Sequence, residues 1–375
     1  MNVLHVYRTY FPDSQGGLEE SIRQICYNTK SLGTENRILT LSRNANPAVL
    51  TRPEAQVHRF PLTWEASSNG VSIKACFKYR ELAEWADVVH YHFPWPFADM
   101  LHLYHKPRSA TVLTYHSDIV RQRMLSMLYR PIMDRFLRRM DRVVATSPTY
   151  AATSPVLRRL TQKAQVIPFG IDPASYPSET MDDLKWARGD GKPFFLFIGV
   201  LRYYKGLHIL LDAVAGSELE LVIAGSGPMD HSLRQEASRR GIKNVRFLGH
   251  VSDQEKVALI KTCTAMVLPS HLRSEAFGIS LLEGTMYGKP LISTEIGTGT
   301  SYVNEHLKTG IVVPSGDARM LREAMEYLVR HTQAVEEMGT AARERYQLLF
   351  TGKQMGEAYY SLYQEITDVR KVGHR

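Results

Sequence analysis

The sequence predicts an α/β protein built from two doubly wound domains, and three observations lead to this fold class. The chain has 375 residues, which is too long for one ordinary domain and suits two of about 170 to 190 residues each. Short continuous apolar runs alternate with helical patterns in both halves, as they do in parallel sheets that helices cover on both faces. Proline, glycine and acidic residues cluster at residues 168–191, where we place the linker between the domains.

The first half supplies the elements of a domain expected at residues 1–175. Its apolar runs predict five strands, at residues 3–7, 36–41, 87–93, 110–116 and 142–147. Amphipathic spacing predicts two helices, at residues 19–32 and 119–139.

The second half repeats the pattern and predicts a domain at residues 190–353. Its strands are expected at residues 194–199, 219–225, 245–249, 265–269, 291–296 and 310–314. Its helices are expected from residue 205, from residue 229, at 253–261, at 279–287 and in the tail 318–370. Doubly wound sheets bind ligands outside the carboxyl ends of their strands. A site shared by both domains is therefore expected in the cleft between them.

The excess positive charge of the chain lies in its first half. The formal net charge is +8, and residues 1–170 hold 22 of the 46 Lys and Arg residues but only 13 of the 38 Asp and Glu residues. A basic half indicates an anionic partner, which is a membrane surface, a phosphorylated acceptor or nucleic acid. The acidic balance of the second half argues against nucleic acid.

The sequence indicates a cytoplasmic protein. No stretch approaches the ~20 apolar residues of a membrane-spanning helix, and residues 1–6 lack the basic and apolar regions of a secretory signal. The three cysteines, Cys26, Cys76 and Cys263, lie far apart and form no disulfide framework or metal clip.

Two glutamates in the second half, Glu275 and Glu283, are candidates for ligand binding. On one continuous helix they would lie about 80° apart around the axis and about 12 Å apart along it. If the helix starts near Gly278, Glu275 belongs to the preceding loop, and Glu283 projects from the second turn. The free amides of Phe277, Gly278 and Ile279 are then expected between them at the positive end of the helix, where anions bind. The alternative is two glutamates without a common role.

A basic loop follows the first strand of the second half. The segment Gly199-Val200-Leu201-Arg202-Tyr203-Tyr204-Lys205-Gly206 places a guanidinium and an ammonium where they can bind a diphosphate. An ordinary solvated loop remains the alternative. The turn Gly225-Ser226-Gly227-Pro228 is weaker evidence, and we interpret it as structural.

The first half offers a glycine pair and a histidine. Gly16 and Gly17 stand between the first strand and the first helix, where they allow positive φ and close approach of a phosphate. The complete GxGxxG pattern is missing, which argues against a dinucleotide-dependent oxidoreductase. His116 ends a predicted strand, and its side chain is expected to point into the cleft. The alternative for His116 is a core or surface histidine.

We predict no metal site. His90 and His92 are expected to face opposite sides of their strand, and His102 and His105 lack an acidic partner of suitable geometry. The sequence Asp-x-Asp does not occur in the chain, so no carboxylate pair is expected to present Mg²⁺ or Mn²⁺ to a diphosphate.

Taken together, these motifs resemble glycosyltransferase family 4, whose members are retaining enzymes of the GT-B fold with two Rossmann-like domains facing across a cleft. The resemblance covers nearly the whole chain. It rests on Gly16-Gly17, TYHSD at 114–118, IPFGID at 167–172, GVLRYYKG at 199–206, GSGP at 225–228, and Glu275 with Glu283.

The resemblance implies a nucleotide-diphosphate sugar as donor, bound by the second domain without a metal cofactor. Val251 would lie near the base, Glu283 would hold the ribose, and Phe277, Gly278 and Ile279 would line the diphosphate. Arg202 and Lys205 would stabilise the departing diphosphate, and Glu275 would contact the transferred sugar. Gly17 and His116 of the first domain would approach the diphosphate and the sugar. Many relatives have Arg at the position of Val200, and in this chain Arg202 would take over its role at the diphosphate.

The resemblance also implies a substrate class and a partner. The segments LHVYRTYFPD, VVHYHFPWP and TYHSDIVRQ resemble bacterial O-antigen mannosyl- and rhamnosyltransferases, which favours GDP-mannose or GDP-D-rhamnose and a lipid-linked oligosaccharide acceptor. UDP-sugars and a sugar-nucleotide epimerase on the same fold remain alternatives. Helix 354–375 is expected to pack back on the first domain. The basic amphipathic stretch 121–142 is expected either to dock on an anionic membrane or to be an ordinary helix with a solvated face.

Overall fold

The structure is a computed structural model and describes residues 1–66, 69–119 and 123–373. It divides into two compact units. Unit 1 comprises Met1–Gly170 and Gly352–Arg375, and unit 2 comprises Ile171–Thr351.

Unit 1 contains an eight-stranded sheet and a separate two-stranded hairpin. The sheet strands are β1 (Asn2–Val6), β2 (Glu35–Ser42), β3 (Val49–Thr51), β4 (Gln56–Pro61), β7 (Val88–Phe93), β8 (Ala110–Tyr115), β9 (Arg142–Ala145) and β10 (Ala164–Val166), and the hairpin strands are β5 (Trp64–Ala66) and β6 (Asn69–Val71). Their order across the sheet is β10-β9-β8-β7-β1-β2-β4-β3, parallel except between β3 and β4. The short strands β3, β4 and β10 and the hairpin were not predicted.

Six helices accompany the strands of unit 1. They are α1 (Gly17–Lys30), α2 (Ile73–Trp85), α3 (Pro96–Tyr104), α4 (Arg123–Arg139), α5 (Pro148–Thr153) and α14 (Gly352–Gly373). Helix α14 packs on α1 and β8 and buries Tyr359 and Tyr363 with Val3 and Ile25. Gly356 allows α14 to approach α1 closely, since a Cβ atom at this position would lie only 2.6 Å from Asn28 Cβ.

Unit 2 contains a six-stranded parallel sheet. Its strands are β11 (Phe194–Ile198), β12 (Glu220–Ala224), β13 (Val245–Gly249), β14 (Ala265–Leu268), β15 (Leu291–Glu295) and β16 (Gly310–Pro314), in the order β13-β12-β11-β14-β15-β16. Its helices are α6 (Met181–Arg188), α7 (Leu207–Val214), α8 (Asp230–Arg239), α9 (Asp253–Thr262), α10 (Ile279–Met286), α11 (Thr300–Val303), α12 (Ala318–Arg330) and α13 (Thr332–Leu349).

The segment predicted as a linker is more ordered than its composition indicates. It contains a 3₁₀ turn at Pro173–Ser175 and helix α6, which packs on α9. A capping box fixes the start of α6, because the Thr180 hydroxyl accepts from the Asp183 amide while the Asp183 carboxylate accepts from the Thr180 amide. The boundary between the two units, at Gly170 and Ile171, lies within the segment predicted as linker.

Each sheet has a topological switch point beside its first strand. In unit 1 the chain builds outward from β1 through β2 and then returns to β7 on the other side of β1, and in unit 2 it builds outward from β11 and then returns to β14. Ligands of doubly wound folds bind outside the carboxyl ends of the strands at this point. A ligand of unit 2 is therefore expected at the loops after β11 and β14. Among the described residues, no helix is long and apolar enough to cross a bilayer.

Candidate functional site

Two strand-end loops of unit 2, after β11 and after β12, are tied together by their backbones. The Leu201 amide donates to the Ser226 carbonyl at 3.0 Å, and the Met229 amide donates to the Leu201 carbonyl at 3.0 Å. A Cβ atom at Gly225 would lie 2.1 Å from the Gly199 carbonyl oxygen, so only glycine fits there. The turn at residues 225–228 therefore supports the basic loop, in agreement with its structural interpretation.

The basic loop brings Lys205 to Glu275 at the switch point of unit 2. Lys205 ends a 3₁₀ turn, Tyr203–Lys205, and Gly206 at φ +72° leads into α7, which begins two residues later than predicted. The Lys205 Nζ atom lies 2.5 Å from Glu275 Oε2, and both side chains are nearly buried. Desolvation would lower the pKa of Lys205, but the neighbouring Glu275 carboxylate and Tyr204 raise it above its ordinary value. Lys205 is therefore a charged ammonium in a largely dry site.

Arg202 precedes the same turn and is exposed. In the part of the chain that the structure describes, it has no ion-pair partner, and its charge acts on Lys205 in the direction that lowers the pKa of the lysine. Two positive groups thus lie close together, and one carboxylate balances them. The remaining positive charge can therefore attract a further anion.

Helix α10 begins beside the Lys205–Glu275 pair. Its first residue follows Gly278, as the sequence predicts. Gly278 has φ +87° and caps the helix, so Glu275 lies in the loop and Glu283 lies in the second turn. One expectation is corrected, because the Gly278 amide is not free but donates to Glu275 Oε1 at 3.1 Å. The amide of Ile279 belongs to the first turn, whose N–H groups have no intrahelical partners. Phe277 is buried and packs edge-on against Phe350.

Glu283 is buried and held by two groups that the sequence did not identify. Its Oε1 atom accepts from the Tyr176 hydroxyl at 3.0 Å and from Lys256 Nζ at 3.0 Å. Tyr176 was missed because it lies in the segment predicted as linker, and Lys256 because only the tertiary fold brings α9 to α10. Val251 is half-buried between β13 and α9 and follows Gly249, which has φ +72°.

The glycine pair of unit 1 is used differently from the expectation. Gly16 is extended at φ −174°, and Gly17 is the first residue of α1, so neither position uses positive φ. A Cβ atom at Gly16 would lie 2.9 Å from Glu19 Oε2. Glu19 in turn accepts from the Ser14 hydroxyl at 2.7 Å. A side chain at position 16 would therefore displace the carboxylate of Glu19.

His116 follows β8 in a loop organised by Asp118. The Asp118 carboxylate accepts from the Tyr115 hydroxyl at 3.0 Å and from the Ser154 hydroxyl at 2.7 Å. The His116 amide donates to the Phe93 carbonyl at 3.0 Å. These bonds fix the backbone on both sides of the imidazole.

His116 is the outermost member of a group of imidazoles that the sequence did not predict. His92 Nδ1 lies 3.0 Å from His116 Nε2, and His92 Nε2 lies 3.1 Å from His5 Nδ1. The expectation that His90 and His92 face opposite sides was wrong, because side chains two residues apart on a strand share a face. Their ring centroids are 4.4 Å apart.

The buried group fits a hydrogen-bonded network better than a metal site. The nitrogens of His5, His90 and His92 come within 4.8 Å of one another, so their spacing alone would accommodate an ion. Both nitrogens of His90 are bonded, however, to the Thr114 and Tyr363 hydroxyls at 2.7 Å each. Both nitrogens of His92 are bonded as well, and of this trio only Nε2 of His5 lacks a hydrogen-bond partner among the described residues.

Burial keeps these imidazoles neutral. Desolvation lowers the pKa of His5 to about 3 and that of His116 to about 3. It also holds the pKa values of His90 and His92 well below the ordinary value. His102, a member of the other pair considered for a metal, has its Nδ1 atom 3.0 Å from the Tyr91 hydroxyl.

The basic stretch 121–142 contains helix α4. Arg121 and Gln122 lie outside the described residues, as do the side chains at 123–127. Of the remaining apolar side chains of α4, Phe136 and Leu137 are buried, whereas Leu128 is 81% exposed and Ile132 38% exposed. Arg130, Arg135 and Arg138 are exposed. The helix therefore packs one face and leaves a second, smaller apolar face open beside its arginines.

Both halves of the chain match known protein families. Residues 15–175 match the model described as Glycosyltransferase Family 4, and residues 180–345 match the model described as Glycosyl transferases group 1.

The relatives extend over nearly the whole chain. D-rhamnosyltransferase WbpZ of Pseudomonas aeruginosa is 52% identical over 352 residues, which cover 94% of this chain and 92% of that protein. O-antigen chain mannosyltransferase C of Escherichia coli is 42% identical over 368 residues, which cover 98% and 99% of the two chains.

Solved structures share the fold at low identity. HepE of Anabaena, in complex with UDP and glucose, has a TM-score of 0.80 at 19% identity and covers 97% of this chain and 100% of its own. Sucrose-phosphate synthase of Thermosynechococcus elongatus has a TM-score of 0.79 at 20% identity and covers 98% and 99%.

Proposed function

The chain belongs to glycosyltransferase family 4 and has the GT-B fold, and from this premise we propose that it transfers a sugar from a nucleotide-diphosphate donor to a lipid-linked O-antigen glycan. The product keeps the anomeric configuration of the donor. The single observation that carries the proposal is the convergence of Lys205, Glu275 and the start of α10 at the switch point of unit 2.

The donor diphosphate is assigned to Lys205, Arg202 and the first turn of α10. Lys205 has three N–H donors and a carboxylate partner that occupies one side of the ammonium, so it can also donate to a phosphate oxygen. Arg202 is exposed, and its planar guanidinium adds further N–H donors. Charge that develops on the departing diphosphate is stabilised most by such preorganised groups in a site that excludes water.

The remaining donor contacts follow the family resemblance. Glu283, fixed by Lys256 and Tyr176, accepts hydrogen bonds from the ribose, and Val251 lies against the base. Phe277, Gly278 and Ile279 line the diphosphate, and Glu275 accepts from hydroxyls of the transferred sugar. In unit 1, Gly17 is assigned to the diphosphate and His116 to the sugar.

The reaction needs neither a protein nucleophile nor a metal in this proposal. The acceptor oxygen attacks the anomeric carbon on the face that the diphosphate leaves, and the positive groups of unit 2 stabilise the leaving group. The sequence supports this proposal because Asp-x-Asp is absent and because Lys205 and Arg202 supply positive charge.

The donor is proposed to be GDP-D-rhamnose or GDP-mannose, since the two relatives named above are a D-rhamnosyltransferase and a mannosyltransferase. Incubation of the protein with GDP-linked and UDP-linked sugars, EDTA and a lipid-linked primer tests this. We expect transfer from one GDP-sugar, and a one-bond ¹³C–¹H coupling at the anomeric carbon of the product that matches the donor configuration. Transfer from UDP-sugars only would contradict the donor assignment, inversion would contradict retention, and release of an epimer without primer would identify an epimerase.

We also propose that the protein docks on the cytoplasmic face of an anionic membrane through α4. The support is the exposed apolar face of Leu128 and Ile132 beside Arg130, Arg135 and Arg138, together with a first half that carries the excess positive charge. Each basic residue near an anionic surface contributes about 1 kcal/mol.

Flotation with anionic vesicles measures this docking. Replacing both Arg135 and Arg138 by Ala is expected to weaken vesicle binding about thirtyfold at low salt. The matched control replaces Arg319 and Arg330 by Ala, which are exposed on a helix of unit 2, and leaves binding unchanged. If the Arg135/Arg138 variant binds vesicles as strongly as the wild type, α4 is not the membrane-docking element.

A further inference from the structure

We propose that helices α2, α3 and α4 present one common face to the membrane, and that exposed aromatic side chains of α2 and α3 insert into the lipid interface. This surface, called here the outer helix face, comprises Ile73, Phe77, Met100, Tyr104, Leu128 and Ile132. The inference rests on the proposed docking of α4 and deepens it, because it names the side chains that enter the bilayer and adds burial of apolar groups to the attraction of charge.

One tyrosine shows that the three helices lie on the same face of the sheet of unit 1. The hydroxyl of Tyr91 in β7 is hydrogen-bonded to the Tyr79 hydroxyl of α2 and lies 3.0 Å from Nδ1 of His102 in α3. Its ring meets Phe136 of α4 edge-on, with the centroids 5.2 Å apart. A strand side chain points to one face of its sheet. Helices α2, α3 and α4 therefore form one layer, and their opposite sides point away from the sheet.

The outward side of α2 is apolar where an ordinary surface helix is polar. The buried residues of α2 form the stripe that faces the sheet: Ala75, Tyr79, Leu82 and Ala83. At ~100° per residue, Phe77 lies roughly opposite the middle of this stripe, and Ile73 lies about one turn before it. Phe77 is 79% exposed and Ile73 is 59% exposed. Polar residues normally occupy this position of an amphipathic helix.

Helix α3 repeats this feature beside α4. Met100 and Tyr104 are about one turn apart on α3, and the ring of Tyr104 is 81% exposed. The Tyr129 hydroxyl of α4 donates to the buried carboxylate of Asp99 and so fixes α4 against α3. The exposed side chain of Leu128 precedes Tyr129 directly. The apolar groups of α3 and α4 thus belong to neighbouring helices of one layer.

The charges around the outer helix face indicate an anionic lipid surface as its partner. Among the described residues of the three helices, six exposed basic residues stand against two exposed acidic residues, Glu81 and Glu84. The basic residues are Lys74, Lys78, Arg80, Arg130, Arg135 and Arg138. Exposed aromatic and aliphatic side chains surrounded by Lys and Arg are typical of helices that lie in a membrane interface. The basic residues attract anionic headgroups, and the apolar side chains then leave water.

Flotation with anionic vesicles at low salt and at about 1 M salt separates insertion from charge attraction, since the Debye length falls to about 3 Å at the higher salt. We expect the wild type to remain bound at high salt. Phe77→Ser combined with Tyr104→Ser is expected to weaken binding at high salt about ten- to a hundredfold, because two apolar rings no longer enter the lipid. The matched control replaces Val329 and Leu348 by Ser, which are exposed apolar residues of unit 2, and should bind as the wild type does.

Trp64 reports insertion directly. It is 64% exposed in the hairpin next to α2, where the Ile73 amide donates to the Thr63 hydroxyl at 3.1 Å. We expect vesicles with brominated acyl chains to quench the tryptophan fluorescence of the wild type. Trp64→Phe should remove most of this quenching.

These measurements use neither donor nor acceptor, so they decide the inference separately from the transferase activity. Release of the wild type at high salt, equal binding of the Phe77/Tyr104 variant and the wild type, or unquenched Trp64 would overturn it. So would a lipid-free dimer that the Phe77/Tyr104 variant loses, since the face would then join two copies of the chain. If the Phe77/Tyr104 variant releases the vesicles and the Arg135/Arg138 variant does not, the role of the arginines fails and the inserting face stands.

Discussion

Replacing Lys205 by Met is expected to lower kcat by about 10²- to 10³-fold, the loss that follows removal of one preorganised charge-stabilising donor. Lys205 is the nearly buried positive group at the switch point of unit 2, and its ammonium lies 2.5 Å from Glu275. Because the ion stabilises the departing diphosphate more than the bound donor, the KM of the donor should change less than kcat. Steady-state kinetics with saturating acceptor measure both.

Two further variants separate the chemistry from the fold. Lys205→Met leaves Glu275 as an uncompensated carboxylate, which destabilises unit 2. Adding Glu275→Gln removes that charge, so the melting temperature should recover while kcat does not. Lys192→Met is the matched control, because Lys192 is an exposed lysine of the same unit that pairs weakly with Glu220, and its rate should equal that of the wild type. A Lys205→Met enzyme with wild-type kcat would contradict the role assigned to the ammonium.

Replacing Gly206 by Ala is expected to destabilise unit 2 by about 2 to 5 kcal/mol, since a strained backbone and a steric clash act together. Gly206 has φ +72°, and a Cβ atom there would lie 2.0 Å from the Pro269 carbonyl oxygen. The clash lies between the loops after β11 and β14, so relief of the strain would separate Lys205 from Glu275. Urea unfolding gives the free energy, and donor binding should weaken in the same variant.

Gly216→Ala is the control for Gly206→Ala. Gly216 has a similar backbone, at φ +67°, but no atom lies within 4 Å of a Cβ atom built there. Its replacement should cost only the backbone strain, about 1 to 2 kcal/mol. Equal losses in the two variants would show that the close approach at Pro269 contributes nothing.

The sequence predicted best where local chemistry decides the structure. Gly278 marks the start of α10 because a left-handed residue is needed there, and the glutamates on either side of it were therefore placed correctly in the loop and in the second turn. Buried runs such as 194–198 identified the strands of unit 2 because hydrophobic side chains on both faces of a strand indicate a parallel sheet. The family resemblance rested on these same motifs.

The contacts that the sequence did not predict join segments far apart in the chain. The partners of Glu283, Tyr176 and Lys256, come from a supposed linker and from another helix. The contact between His5 and His92 depends on the pairing of β1 with β7, which no local pattern reveals. In contrast, side chains alternate between the two faces of a strand, so the shared face of His90 and His92 was predictable from the sequence. The free Gly278 amide was mispredicted because the sequence does not show which way Glu275 turns.

Unit 2 is proposed to bind a nucleoside diphosphate through Lys205, Glu275, α10 and Glu283 without a metal. Calorimetric titration with GDP, UDP and NAD in the presence of EDTA tests it most directly, on the wild type, on Glu283→Ala and on the control Glu323→Ala, which alters an exposed glutamate of α12. We predict that one nucleoside diphosphate, GDP, binds the wild type and the control equally and binds Glu283→Ala about ten- to a hundredfold more weakly. Binding of NAD alone, or of no nucleotide until a metal is added, would contradict the account.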